Sequence, residues 1–319
     1  MVREPGKLAV VTHDLTLRVP AGFHFVRAVQ GHGWFDLPPF SWDEATSTLT
    51  RGLTLSGAGP VTVQIRAGRP RAKAPAIELR VIASGHVERA DLAQAARDVS
   101  HMLRLDEDLD DFYQQATKVR QPDLRWAEAA GAGRLLRSPT VFEDLVKMIC
   151  TTNCSWALTR VMVGEMVGRM GATAPGGARL FPSPEEMAGR PSRFFRDKIR
   201  AGYRAEALRD LAAAVAQGAI RPQTWLDRER PTPEIREEIL SIKGAGPYVA
   251  DNVLKLLGRY DGLGLDAWCR REFSRLHHSG RAVTDGRIAR FYAPFGAWRG
   301  LALWCDVTKE WLDRPPILP

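Results

Sequence analysis

Cysteine is scarce in this chain, with four in 319 residues. They are Cys150, Cys154, Cys269 and Cys305, with no Cys-x-x-Cys spacing among them and no histidine pair nearby. That excludes a disulfide-stapled scaffold and argues against a zinc site. Free thiols point to a reducing, cytoplasmic setting. Long apolar runs are missing too. None spans a bilayer, and residues 1–19 lack the apolar core of a secretory signal. No internal repeat and no low-complexity tail appear. Acidic residues are outnumbered, 37 Asp and Glu against 45 Lys and Arg, for a net charge of +8. Such a balance suits a polyanionic partner, although moderate basicity also serves solubility.

What is present is enough apolar character, 45% of residues, for a sizeable core. The expected fold class is α+β. Residues 1–108 predict an N-terminal antiparallel domain. Period-2 alternation marks strands near 15–19, 47–55, 61–66 and 77–82, and Gly- and Pro-rich breaks separate them. A helix over about 90–103 follows. Residues 109–319 predict a mainly helical domain. Its helices are expected near 109–117, 140–150, 155–170, 184–188, 204–217, 233–241, 247–258, 267–276, 286–293 and 298–312.

The densest signal lies in residues 237–273, EEILSIKGAGPYVADNVLKLLGRYDGLGLDAWCRREF. Lys243, Gly244, Ala245 and Gly246 form a turn between two helices, with Pro247 at the first helical position. Glycines without a Cβ let backbone amides meet a partner closely. A bare helix N-terminus of this kind is a phosphate site. Beyond the second helix, Gly264-Leu265-Asp266 places one carboxylate at the mouth of a third. Asp266 reads either as a helix cap or as a catalytic carboxylate.

These residues resemble the helix-hairpin-helix, Gly/Pro-Asp superfamily of DNA glycosylases. IKGAGPYVAD matches the hairpin, spanning 234–258, and GLGLD matches the Gly/Pro-Asp element. The likeness extends in order from 133 to 304. Gly133-Arg134-Leu135-Leu136-Arg137 and the run ending Ile149-Cys150-Thr151-Thr152-Asn153 are similar to the 8-oxoguanine branch, as is Gly202-Tyr203-Arg204-Ala205. Residues 295–304 are similar to bacterial 3-methyladenine DNA glycosylase II.

The resemblance implies an enzyme that flips a damaged base out of double-stranded DNA and cuts its N-glycosidic bond. It makes Asp266 the catalytic carboxylate and leaves Asp251 a structural role. Tyr248 stands where bifunctional members carry a lysine, so hydrolysis without lyase activity is expected. Tyr248, Trp304 and Trp268 are the expected base-pocket residues. Lys243, Gly244, Gly246 and Val249 are expected on phosphate, Asn153 as the wedge, and Arg204 toward the opposite base. Leu158 replaces a second arginine of the 8-oxoguanine branch. Gly300 replaces a glutamine of that branch, which implies an open aromatic cavity suited to alkylated purines. Oxidised purines are the alternative, and a non-catalytic DNA-binding protein is the rival from another class. The resemblance also implies a Na+ or K+ ion on the carbonyls of Leu240, Ile242 and Ala245. The C-terminus lacks the cysteine array of iron–sulfur members, so no cluster is expected. A monomer is expected. The run Arg193, Arg196, Lys198, Arg200 reads as a solvated face or as added phosphate contacts.

Overall fold

A computed structural model describes residues 9–68 and 75–312. Five strands form one antiparallel sheet in the order β1-β5-β4-β3-β2. They are β1 Val10–Arg18, β2 Ser41–Asp43, β3 Thr48–Leu55, β4 Gly59–Ala67 and β5 Ala76–Ser84. The short α1 Phe25–Gln30 interrupts the strands, and α2 Arg89–Leu103 packs on β3 and β5. A reciprocal cap starts α2: Glu88 takes the Asp91 amide while the Asp91 carboxylate takes the Glu88 amide. The antiparallel α+β unit followed by helices is therefore as expected. The sequence reading omitted α1 and β2, both too short to show a period.

The rest is helical: α3 Asp110–Lys118, α4 Trp126–Ala129, α5 Val141–Cys150, α6 Trp156–Met170, α7 Pro184–Ala188, α8 Ser192–Asp197, α9 Ala205–Ala216, α10 Thr232–Leu240, α11 Pro247–Leu256, α12 Ala267–His277, α13 Asp285–Tyr292 and α14 Arg299–Val307. None of the described helices is long and apolar enough to cross a membrane. Buried side chains of the sheet and of the helices form one continuous core. A strap from the helical part crosses the sheet, where Gly52 donates to the Arg179 carbonyl at 3.2 Å and Ala178 to Thr62 Oγ1 at 3.3 Å.

An ionic cluster is buried where sheet meets helices. Glu143 on α5 accepts from Arg51 Nη2 on β3 at 2.8 Å and from Lys147 Nζ at 2.7 Å. Burial alone would raise the Glu143 carboxyl, but the two cations outweigh it and hold it below its ordinary value. The cluster matters to the site because α5 ends at the predicted wedge.

The Arg134 and Arg137 side chains are buried fasteners. Arg134 bonds the Arg104 and Glu107 carbonyls. Arg137 bonds the His101 carbonyl at 2.9 Å and the Leu256 carbonyl, at the C-terminal end of α11, at 3.0 Å. Cations there offset the negative end of the helix. A cavity of about 380 Å³ opens beside them, lined by Arg104, Arg137, Arg228 and Arg259, at the opposite end of α11 from the hairpin turn.

Candidate active site

The hairpin joins α10 to α11. Gly244 adopts φ +85°, and a Cβ there would lie 2.9 Å from the Ala207 methyl. Glycine is needed at that position for both reasons. Gly246 is different. It is the N-cap of α11 with ordinary φ, no side chain caps the terminus, and a Cβ would meet nothing. The first-turn amides up to Val249 thus face outward with the positive end of the helix dipole behind them. Lys243 is exposed and paired with Glu206 at 2.8 Å and Asp210 at 3.5 Å. A phosphate would have to displace these exposed acids, which hold it weakly. The Ile242 carbonyl accepts from the Ala245 amide at 2.9 Å. Carbonyl oxygens suit a hard monovalent ion, and no His, Cys, Asp or Glu cluster among the described residues suits a transition metal.

Gly246→Val is expected to weaken binding to damaged and undamaged duplexes alike, by about tenfold, because phosphates carry no sequence information. Its thermal midpoint should fall only slightly: the side chain enters open space, but valine is a poorer N-cap than glycine. Fluorescence anisotropy across a salt series checks this. Unchanged affinity would remove the hairpin as the anchor.

The loop expected to act as the wedge follows α5. Asn153 is exposed and left-handed at φ +45°, a conformation asparagine tolerates. Its Nδ2 lies 3.3 Å from the Tyr203 hydroxyl. Tyr203 is the more prominent group, 67% exposed. Sequence reasoning singled out Arg204 of the Gly-Tyr-Arg-Ala element and passed over Tyr203. Arg204 is buried, and its guanidinium grips the Thr152 carbonyl and hydroxyl. It fastens the wedge loop from behind instead of reaching outward. Leu158 is half-buried and apolar, so it offers no substitute. Arg193, Arg196, Lys198 and Arg200 are exposed just before Tyr203, while Phe195 anchors α8 in the core.

Asp266 sits at the N-cap of α12 and accepts the Cys269 amide at 2.7 Å through one oxygen. The cap reading holds, and one carboxylate oxygen still remains for a reacting group. The loop before it is bolted to α11. Asp251 bridges Arg236 Nε at 3.2 Å and the Gly264 amide at 3.3 Å. Asn252 Nδ2 donates to the Tyr248 carbonyl at 2.9 Å and to the Gly264 carbonyl at 3.1 Å. Gly264 has φ +57°, and a Cβ would lie 2.5 Å from Asn252. Tyr248 is half-buried, with its hydroxyl 3.4 Å from Thr151 Oγ1 in the wedge loop. Burial, and then the nearby Asp266 charge, push its phenol up. The same two causes push up the Cys269 thiol.

The aromatics expected at the base pocket pack together. Trp304 lies 6.2 Å from Trp268 and 5.3 Å from His32, ring centre to ring centre, and donates to the Gly31 carbonyl at 2.8 Å. His32 is buried with Nδ1 unpartnered, and burial lowers it to about 3, so the ring is neutral. Gly300 does not open a cavity. A Cβ there would run into the Gly262 carbonyl, and the Gly300 amide donates to the Tyr260 carbonyl at 2.7 Å. Glycine at 300 is a helix-to-loop contact, so a side chain at this position would meet Gly262 and not a bound base. Sequence reasoning also passed over His32 and Lys255. A lysine in the apolar run Val253-Leu254-Lys255-Leu256-Leu257 was the available signal.

The fold is that of the helix-hairpin-helix DNA glycosylases. The 3-methyladenine DNA glycosylase from Archaeoglobus fulgidus superposes with a TM-score of 0.71 at 20% identity, covering 93% of this chain and 98% of that one. MBOgg1 in complex with a low affinity DNA ligand gives 0.69 at 22%, covering 95% and 99%. The 8-oxoguanine glycosylase/lyase of Clostridium acetobutylicum gives 0.65 at 17%, covering 95% and 98%. A relative described as a probable N-glycosylase/DNA lyase, from Methanothermobacter thermautotrophicus, is 26% identical over 305 residues, 86% of this chain and 89% of its own length. No family model matches the chain.

Proposed function

We propose that this chain is a monofunctional DNA glycosylase that turns a damaged purine out of duplex DNA and hydrolyses its N-glycosidic bond. The observation that carries the reading is Asp266, capped onto α12 through one oxygen with the other left over, on a loop bolted to the helix that presents bare amides at Gly246. Cleavage builds positive charge on the sugar, as in other glycosidic reactions. A fixed carboxylate stabilises that charge and takes a proton from attacking water. Extrusion leaves a gap in the stack, and the exposed Asn153 and Tyr203 are suited to fill it. A monovalent ion on the carbonyls of Leu240, Ile242 and Ala245 would add positive charge toward the phosphates.

Hydrolysis, not amine attack, follows from Tyr248. A phenol pushed up by burial is no nucleophile toward the sugar at neutral pH. Borohydride added during turnover should therefore trap no protein–DNA adduct, and the abasic product should stay intact. A trapped adduct would overturn the hydrolytic reading. The aromatic walls Trp304 and Trp268 favour electron-poor alkylated purines, whose rings are drawn to π faces. An oxidised, uncharged purine is the second reading, and the buried Lys255 favours it.

A further inference from the structure

Two lysines are buried among the described residues, and their surroundings differ. Lys147 faces Glu143 at 2.7 Å. Lys255 has no ion pair among the described residues. Its Nζ donates to the Leu263 carbonyl at 2.8 Å and the Asn252 side-chain oxygen at 3.1 Å, and lies 5.8 Å from the Trp304 ring centre. It therefore projects from α11 between the loop that carries Asp266 and the aromatic wall. A buried charge without a counter-charge is costly to keep. Where such a group adjoins a reactive carboxylate, a role in the chemistry is the first thing to test. Holding the Leu263 carbonyl alone would need only a neutral donor.

The electronic demand of the reaction supplies that role. When a neutral purine leaves, the C1′–N9 electron pair goes to the base, which departs with negative charge. Water oxygen bonds to C1′, and its proton passes to Asp266. A purine already alkylated to a cation departs neutral and needs no such help. We propose that Lys255 is the specificity-determining residue of the base pocket: its ammonium stabilises the charge a neutral purine takes away and repels purines that are cationic before reaction. This rests on the glycosylase reading given above. A unit charge about 6 Å away, at an effective dielectric of about 20, changes a rate roughly a hundredfold.

The test compares single-turnover release from two duplexes, one with hypoxanthine and one with 7-methylguanine. In Lys255→Met, hypoxanthine release should fall roughly a hundredfold while 7-methylguanine release stays level or rises. Lys255→Arg, which keeps the charge, should keep the wild-type ratio between lesions. Lys255→Gln, which keeps a donor for Leu263 but no charge, should behave as Lys255→Met does, and serves if the methionine variant fails to fold. Equal losses on both lesions in Lys255→Gln would overturn the proposal and leave Lys255 a fastener for the loop. Wild-type protein releasing neither of these bases, nor 8-oxoguanine from a third duplex, would overturn the glycosylase reading itself, and this inference with it.

Discussion

Asp266→Asn is expected to slow base release roughly a thousandfold while leaving duplex affinity and thermal stability close to wild type. The amide oxygen of asparagine still accepts the Cys269 amide, and asparagine caps helices about as well as aspartate. What disappears is the negative charge opposite the developing sugar cation and the acceptor for the water proton. Asp266→Ala makes the useful contrast, because it loses the cap as well and should cost about 1 kcal/mol of stability. Single-turnover release, duplex anisotropy and a thermal melt separate the two roles. Normal turnover by Asp266→Asn would reduce the carboxylate to a cap and move the chemistry to another group.

The second large effect lies far from the chemistry. Glu143→Gln should destabilise the protein by about 3–5 kcal/mol, because it takes the paired carboxylate from the buried Arg51 and Lys147 cations and leaves only the Asp144 charge nearby. Lys147→Met should be much milder. The Arg51–Glu143 pair survives, with Nη2 at 2.8 Å and Nη1 at 3.3 Å. Urea midpoints would show the order, and a Lys147→Met variant as unstable as Glu143→Gln would refute this account. The Glu143 carboxyl is held down in the folded protein, so its contribution is present above the ordinary glutamate range and fades as the pH falls through its folded value. Because α5 runs from this cluster to Thr151 and Asn153, Glu143→Gln should also loosen the wedge.

Local signals in the sequence carried a good part of this arrangement. The hairpin was legible because two glycines and a proline mark a turn by backbone chemistry alone. Asp266 was legible because capping is a local event. The helix predicted over 184–188 is present as Pro184–Ala188, announced by Ser183 and its reciprocal partner Glu186. Side-chain destinations were not legible. Arg204 and Tyr203 are neighbours in sequence, yet one is buried under Thr152 and the other stands in solvent. Only the packing of α5 against α9 decides which. His32 and Lys255 meet at Trp304 from opposite ends of the chain, and nothing in either local sequence points to the other. The basic run before Tyr203 hid α8, whose single buried anchor, Phe195, is too little to show a helical period.

The contact at Gly300 carries a constraint on the history and the redesign of this pocket. With its amide on the Tyr260 carbonyl and no room for a Cβ against Gly262, α14 is seated on the same loop that leads to Asp266. The wall bearing Trp304 and the carboxylate are therefore mounted on one bracket, and their spacing cannot drift independently. A lineage adapting this scaffold to a new lesion is barred from the change a pocket engineer would try first, a larger side chain at 300. Diversification is channelled into the aromatic positions that pack around Trp304 without bearing on the bracket, chiefly 32 and 268.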